Sequence, residues 1–186
     1  MKSALLVIDI QNSFKARPFW SEEGYATWCQ AQQQLIDGCH GAGVPLIQIF
    51  HQSPDGGPFD PANGLVTTLP DIRLEPDLVI HKQKHSALAG TPLLAWLVGH
   101  GINHLLISGL RTEQCCETTA RHGSDLGFRI DFVSEATHTF AMQHEPSGVC
   151  YSAAEIKRRT ELVLAHRFAR ITSVADSLAY LHQQEQ

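Results

Sequence analysis

The sequence predicts an α/β fold with a six-stranded, mostly parallel sheet, and three observations predict it. Short runs rich in Val, Ile, Leu and Phe alternate with helical patterns along the chain, which is the element order of parallel α/β proteins. The apolar runs alternate only loosely with polar residues, as strands covered on both faces do. The 186 residues suffice for one well-filled core but not comfortably for two, so a single domain is expected over residues 1–186.

Each element follows from a local pattern. Strands are predicted at residues 4–10, 44–50, 77–82, 104–110, 128–134 and, more weakly, 167–173. Helical periodicity and terminal glycines predict helices at residues 25–43, 91–101, 115–127, 152–166 and 173–184. Thr91 stands as an N-cap before Pro92, a good helix start. Residues 51–75 have Pro, Gly and Asp without periodicity, so we expect a long irregular loop, which in a compact domain is more often functional than idle.

Composition excludes several classes of protein. The net charge of −5 comes with no basic stripe, so a nucleic acid is not expected as a partner. No apolar run approaches the roughly 20 residues that cross a bilayer, and the N-terminal run reaches Asp9 too soon for a signal peptide. The five cysteines are odd in number and lack the spacing of a disulfide scaffold, which favours free thiols in a cytoplasmic protein.

Three reactive side chains follow predicted strands. Asp9 closes the first strand, Lys82 closes the third, and Cys115 lies just beyond the fourth. Open parallel sheets carry their sites at the carboxyl ends of strands, near the point where the strand order reverses. The three side chains are therefore expected to lie near one another.

The chemistry of these residue types is consistent with a nucleophilic site. Cys115 would lie at the start of a helix, whose dipole favours a thiolate and lowers the thiol pKa. Asp9 would accept the thiol proton and return it to a leaving group, and Lys82 would hold the carboxylate ionised. Each residue also has an ordinary interpretation as a buried small side chain, a turn anchor or a solvated lysine, and Lys84 competes with Lys82 on spacing. Cys116 points toward the sheet and is expected to be packing.

Four segments resemble the isochorismatase-like cysteine hydrolases, which include nicotinamidases, carbamoyl-amide hydrolases and isochorismatases. LLVIDIQNSF is similar to an apolar strand followed by D-x-Q-x-x-F. DLVIHKQKHSALAGTPL resembles K-x-x-x-S-A-F-x-G-T-x-L, a register that selects Lys82 over Lys84. SGLRTEQCCETTARHGSDLGF resembles G-x-x-T-x-x-C-V-x-x-T-A, which selects Cys115, and VSEATHTF resembles a downstream D-A-T strand end. The resemblance covers nearly the whole chain in the right order.

The resemblance implies an isochorismatase-like, Rossmann-like three-layer αβα sandwich. It makes Asp9 the general acid and base, Lys82 the electrostatic partner and Cys115 the nucleophile. It also implies a cis peptide bond between Leu110 and Arg111, with the N–H groups of Arg111 and Cys115 directed at an oxyanion. A homodimer or homotetramer acting on a small-molecule substrate is expected by the same analogy.

The substrate pocket is expected to include Gln11, Phe14 and Arg111, but some residues depart from the family pattern. Arg111 stands where a small or apolar residue is usual, so it either binds an anionic part of the substrate or covers the surface. Cys116 replaces a usual Val and Leu88 a frequent Phe.

Neither a cofactor nor a metal is predicted. A glycine-rich phosphate loop is missing after the first strand. His51 lacks the Asp two residues earlier that nicotinamidases pair with it as a metal ligand.

The predicted function is therefore hydrolysis of a C–N bond in a small amide or carbamoyl substrate through a Cys115 acyl-enzyme. Two alternatives stay open at this point. One is vinyl-ether hydrolysis of the isochorismatase type, in which Asp9 protonates the substrate and no thiol is required. The other is a non-catalytic or redox-sensing binding module on the same scaffold.

Overall fold

A computed structural model describes residues 1–184 as alternating strands and helices. The strands are β1 (Ser3–Ile8), β2 (Leu46–His51), β3 (Leu78–Lys82), β4 (His104–Leu110), β5 (Arg129–His138), β6 (Met142–His144), β7 (Val149–Tyr151) and β8 (Arg170–Thr172). The helices are α1 (Tyr25–Gly41), α2 (Leu93–Gly99), α3 (Glu117–Asp125), α4 (Ala153–Leu164) and α5 (Val174–Gln184). Short 3₁₀ helices cover Asn12–Ala16 and Pro61–Asn63, and a π-helical turn covers Thr112–Cys116.

Six strands form one parallel sheet in the order β3-β2-β1-β4-β5-β8. The chain builds outward from β1 through β2 to β3 and then crosses back to place β4 on the other side of β1. The strand order therefore reverses between β1 and β4, which is where open α/β sheets bind their ligands.

Helices cover both faces of the sheet, so the fold is a three-layer αβα sandwich as predicted. Successive residues of β1 point to opposite faces: Leu6 and Ile8 pack with α2 and α3 on one side, whereas Leu5 and Val7 pack with α1 and α5 on the other. Burial on both faces explains why the strand sequences are continuously apolar rather than alternating. Among residues 1–184, no helix is long and apolar enough to cross a membrane.

The predicted elements are found with small shifts at their ends. The predicted start of the second helix moves by one residue, because α2 begins at Leu93. Thr91 still contributes there, since its hydroxyl accepts a hydrogen bond from the Leu93 N–H at 3.3 Å. The fifth strand is longer than predicted and runs to His138, with an irregularity in its pairing between Ile107 and Gly109 of β4.

One supersecondary element is absent from the prediction. Residues 142–151 form an antiparallel hairpin of β6 and β7, in a segment that the sequence indicates as a loop after the fifth strand. Both strands are three residues long and exposed along their whole length, so they lack the apolar alternation that predicts a strand.

Candidate active site

The ends of β1 and β4 approach each other unusually closely. Ile8 pairs with Gly109 in the parallel register, and a Cβ added at Gly109 would lie 1.9 Å from the carbonyl oxygen of Ile8. Gly109 also has φ of 115°, a conformation that favours glycine. The glycine therefore lets the turn that carries Cys115 pass beside the strand end that carries Asp9.

The three strand-end side chains converge as the sequence indicates. The Lys82 Nζ lies 2.8 Å from Asp9 Oδ2 and 3.3 Å from Cys115 Sγ. Asp9 and Lys82 have fully buried side chains, and Cys115 is 7% exposed. Lys84, the competing lysine, is exposed. One ammonium thus contacts both a carboxylate and a thiol in a site that is almost closed to water.

Asp9 retains an unused acceptor in this site. Its Oδ1 is buried and has no hydrogen-bond partner among the described residues, while Oδ2 accepts from Lys82. A buried carboxylate oxygen without a partner is unfavourable unless a proton or a ligand supplies the missing bond. Oδ1 therefore retains the capacity to accept a proton or a hydrogen bond.

The protonation of Cys115 differs from the expectation based on the helix dipole. Burial raises the pKa of the Cys115 thiol, and the negative charge of Asp9 raises it further, while Lys82 opposes both effects. The pKa of Lys82 is lowered by burial but raised to a greater total extent by Asp9 and Cys115. The thiol therefore stays protonated until a base removes its proton. The helix dipole alone predicts a lowered thiol pKa, but the removal of the Cys115 thiol from water outweighs it.

The turn before Cys115 has the expected backbone. The peptide bond between Leu110 and Arg111 is cis, at the position that the resemblance implies. The Arg111 carbonyl accepts hydrogen bonds from the N–H groups of Gln114 and Cys116, which closes the turn. Cys116 is fully buried in the apolar core beneath the helix layer, in agreement with its predicted packing role.

A cavity of about 370 Å³ opens above Cys115. Phe14 and Arg111, both expected in the pocket, lie on its wall. Ser53, Asp55 and Phe59 on its wall come from the loop at residues 51–75, which the sequence predicts to be functional. Arg17 and Phe19 come from a segment for which no pocket role is predicted. Its lining consists of Asp9, Phe14, Arg17, Phe19, His51, Ser53, Asp55, Phe59, His85, Arg111, Gln114 and Cys115.

Gln11 does not line the cavity, contrary to the expectation. It is fully buried, and its amide nitrogen donates to the Ser13 hydroxyl at 2.9 Å and to the His51 carbonyl at 3.0 Å. Its amide oxygen accepts from the His51 N–H at 2.8 Å. The side chain thus fastens the end of β1 to the end of β2 and holds Asp9 and His51 side by side, so its contribution to the site is positioning.

The residues around His51 do not fit a metal ion. Position 49, where nicotinamidases carry an Asp, is Ile49, which packs in the core. The His51 Nδ1 lies 3.3 Å from Lys82 Nζ, and burial together with the Lys82 charge lowers the pKa of His51. Within residues 1–184 no group of three or more His, Cys, Asp or Glu side chains is arranged to hold a metal. His51 therefore serves as a neutral acceptor for the lysine ammonium.

Comparison with known proteins agrees with this fold. The family model for the Isochorismatase domain matches residues 3–176. The chain is 36% identical over 155 residues to Nicotinamidase 3 of Arabidopsis thaliana, with 74% of each protein covered. It is 37% identical over 177 residues to the ureidoacrylate amidohydrolase RutB of an Enterobacter species, covering 73% of this chain and 75% of the relative. A crystal structure of an isochorismatase-family protein from Chromobacterium violaceum superposes with a TM-score of 0.89 and 30% identity, over 98% of this chain and 94% of that one. The chain belongs to the isochorismatase family and is a hydrolase of that family.

Proposed function

We propose that this protein hydrolyses a C–N bond of a small amide or carbamoyl compound through a covalent intermediate on Cys115. One observation carries the proposal: the Lys82 ammonium contacts both Asp9 and Cys115 at the base of a small cavity. A thiol, a base and a cation within hydrogen-bond distance are the parts that nucleophilic catalysis by cysteine needs.

The first half of the reaction forms the acyl-enzyme. Asp9 takes the proton from the Cys115 thiol, and the sulfur attacks the carbonyl carbon of the substrate. Lys82 stabilises the thiolate as it forms, since its ammonium lies 3.3 Å from the sulfur. The N–H groups of Arg111 and Cys115 receive the oxyanion, and the C–N bond breaks as Asp9 gives its proton to the departing amine.

The second half regenerates the thiol. Asp9, again a carboxylate, takes a proton from a water molecule, whose oxygen attacks the thioester. Collapse of this intermediate releases the acid and returns the proton to Cys115. The unpaired Oδ1 of Asp9 is the acceptor in both halves.

The named relatives support an amide substrate over a vinyl ether. Nicotinamidase 3 and RutB are both named as amide-cleaving enzymes, and each covers about three quarters of this chain. The vinyl-ether alternative requires no thiol, whereas here a cysteine contacts the lysine directly.

A screen of primary amides, ureas and carbamoyl compounds for ammonia release tests the proposal. The wild-type protein is expected to turn over at least one compound, and Cys115→Ala to lose that activity by at least about 1,000-fold. Cys150→Ala is the matched control, because Cys150 is exposed on the hairpin and does not line the cavity. Activity in Cys115→Ala near that of the control would refute the acyl-enzyme mechanism.

A further inference from the structure

The cavity wall beside Cys115 contains a buried guanidinium group. Arg111 is 6% exposed, and its guanidinium carbon lies 4.6 Å from the ring centroid of Phe19 and 5.7 Å from that of Phe140. The two aromatic rings hold a planar cation in place and remove its water. Arg111 is therefore fixed and poorly hydrated, rather than extended over the surface.

The partners of Arg111 do not use its full hydrogen-bonding capacity. Its Nη2 lies 3.1 Å from Glu113 Oε1, and its Nε donates to the Thr139 hydroxyl at 3.5 Å. Its Nη1 makes no hydrogen bond among residues 1–184. A guanidinium has five N–H donors in a planar fork, so a buried one with a free edge has room for a further acceptor.

A second guanidinium faces the same space. Arg17 lines the cavity, and its guanidinium carbon lies 5.5 Å from the centroid of the Phe19 ring that Arg111 also contacts. No described carboxylate forms an ion pair with Arg17. Burial lowers the pKa of Arg111, and the positive charge of Arg17 lowers it further, against the opposing effects of Glu113 and Cys115. Two like charges thus converge on one cavity and repel each other there.

The two carboxylates on the cavity wall, Asp9 and Asp55, form no ion pair with either arginine. Asp9 is engaged by Lys82. Asp55 accepts hydrogen bonds from the Ser53 hydroxyl and the Gly57 N–H of its own loop. Glu113 pairs with Arg111 and Asp55 acts on Arg17 through its charge, but neither interaction occupies every N–H donor of the two guanidinium groups that border the cavity.

We propose that Arg111 and Arg17 bind a carboxylate of the substrate, so that the enzyme acts on small amide or carbamoyl acids rather than on neutral amides. This inference rests on the proposed function, since it assumes that the scissile carbonyl lies at Cys115. The cavity volume of about 370 Å³ is near the lower end of the range for ligand sites, so both groups belong to one compact molecule. The carboxylate accepts charge-assisted hydrogen bonds from the Nη1 of Arg111 and from the Arg17 guanidinium.

Alkylation of Cys115 by two matched reagents tests the anion site without any substrate. Iodoacetate and iodoacetamide both transfer a CH₂ group to the sulfur with loss of iodide, and they differ only in the charge of their other end. The same thiolate attacks both, so its population cancels in the rate ratio. In water a thiolate repels the anionic iodoacetate, which therefore reacts more slowly than iodoacetamide. The exposed Cys150 shows this order of rates in the same sample.

We expect the order of the two reaction rates to reverse at Cys115. Peptide mass spectrometry should show iodoacetate reacting about tenfold or more faster than iodoacetamide, the factor expected for a charged hydrogen bond. Arg17→Gln should lower that ratio and Arg111→Gln should abolish it, whereas Arg73→Gln, an exposed change outside the cavity, should leave it unchanged. Since Arg111 is buried and its loss leaves Glu113 unpaired, the wild-type and Arg17→Gln ratios decide the question if Arg111→Gln fails to fold.

The outcomes separate the two proposals. If iodoacetamide reacts faster than iodoacetate at Cys115 of the wild-type protein, by the same ratio as at Cys150, the anion site is overturned. The acyl-enzyme proposal is left standing by that result. A matched pair of substrates, an N-carbamoyl amino acid and its carboxamide, gives the second readout. The acid is expected to show about tenfold higher kcat/KM, with the loss in Arg17→Gln appearing mainly in KM. Equal kcat/KM for the two compounds, with turnover still dependent on Cys115, also overturns the anion site alone.

Discussion

The Lys82 ammonium lies 2.8 Å from the Asp9 carboxylate, although the two residues are 73 positions apart in the chain and neither side chain is exposed. Removing a charged partner from such a pair leaves the other charge buried without compensation. The pair also touches the proposed nucleophile, since Lys82 lies 3.3 Å from Cys115 Sγ. The same contacts therefore couple stability and reactivity.

Replacing Lys82 with Met is expected to reduce both the stability of the fold and the rate of turnover. Asp9 would be buried without its cation, so the free energy of unfolding should fall by about 3–5 kcal/mol. Turnover should fall by at least about 100-fold, because the thiolate loses its charge partner. Urea denaturation and steady-state kinetics measure the two effects.

Lys84→Met is the matched control for this change, since Lys84 is two residues away and exposed. The double variant Asp9→Asn with Lys82→Met should recover part of the lost stability, because it removes both charges. Equal stability losses in the Lys82→Met and Lys84→Met proteins would mean that the buried pair has no net structural role.

Replacing Asp9 with Asn is expected to separate the reactivity of the thiol from turnover. Asp9 raises the pKa of Cys115 and Lys82 lowers it, so losing the carboxylate charge should lower the thiol pKa. Iodoacetamide should then alkylate Cys115 faster at pH 7 than in the wild-type protein, while turnover is lost for want of a base. The rate of Cys115 alkylation as a function of pH measures the shift. A slower or unchanged rate in Asp9→Asn would contradict the assigned effect of Asp9 on the thiol.

The sequence predicts the strand ends of the site better than its walls. Asp9 and Lys82 each end an apolar run, so the position of their backbone follows from strand topology alone. Arg17 and His85 reach the cavity from segments without a periodic pattern, and their approach depends on loop conformation that no local signal encodes. The raised pKa of Cys115 cannot be predicted from the sequence for a related reason. A helix start is visible in sequence, whereas the burial that outweighs it depends on residues far apart in the chain.

Gly109 offers a test of the close approach between β1 and β4. Gly109→Ala would place a methyl carbon 1.9 Å from the Ile8 carbonyl oxygen, and the three nearest atoms all belong to the Ile8 backbone, so no flexible group is there to move. We expect a loss of roughly 3 kcal/mol or more in the free energy of unfolding. Thermal or urea denaturation measures it.

Gly127→Ala separates this clash from the effect of backbone conformation. Gly127 has φ of 89°, also positive, but a Cβ there would meet nothing within 4 Å. Its substitution should therefore show only the conformational penalty, about 1–2 kcal/mol. If the two variants are equally stable, the approach of Gly109 to Ile8 is not tight in solution.

His138 is expected to make the protein sensitive to mild acid. Its ring is buried, stacks on Trp28 with 5.2 Å between centroids, and has no partner for Nε2 among the described residues. Burial lowers the pKa of His138 from 6.5 to about 4; Lys157 lowers it too, and Glu22 weakly opposes both. Because the unfolded chain binds the proton first, the stabilisation is complete above pH 6.5 and is lost as the pH falls toward about 4, by up to about 3 kcal/mol.

The pH dependence of unfolding tests this assignment with His138→Phe. Phenylalanine keeps a ring against Trp28 and removes the titrating group. No hydrogen bond is lost at Nε2, because the His138 Nε2 has no partner among the described residues. The free energy of unfolding of the variant should therefore decline less than that of the wild-type protein between pH 6.5 and 4.5, with the difference growing as the pH falls. His144→Phe is the control, since His144 is exposed on the hairpin and its removal should leave the wild-type slope. Parallel curves for the wild-type and His138→Phe proteins would show that His138 is protonated equally in the folded and unfolded states.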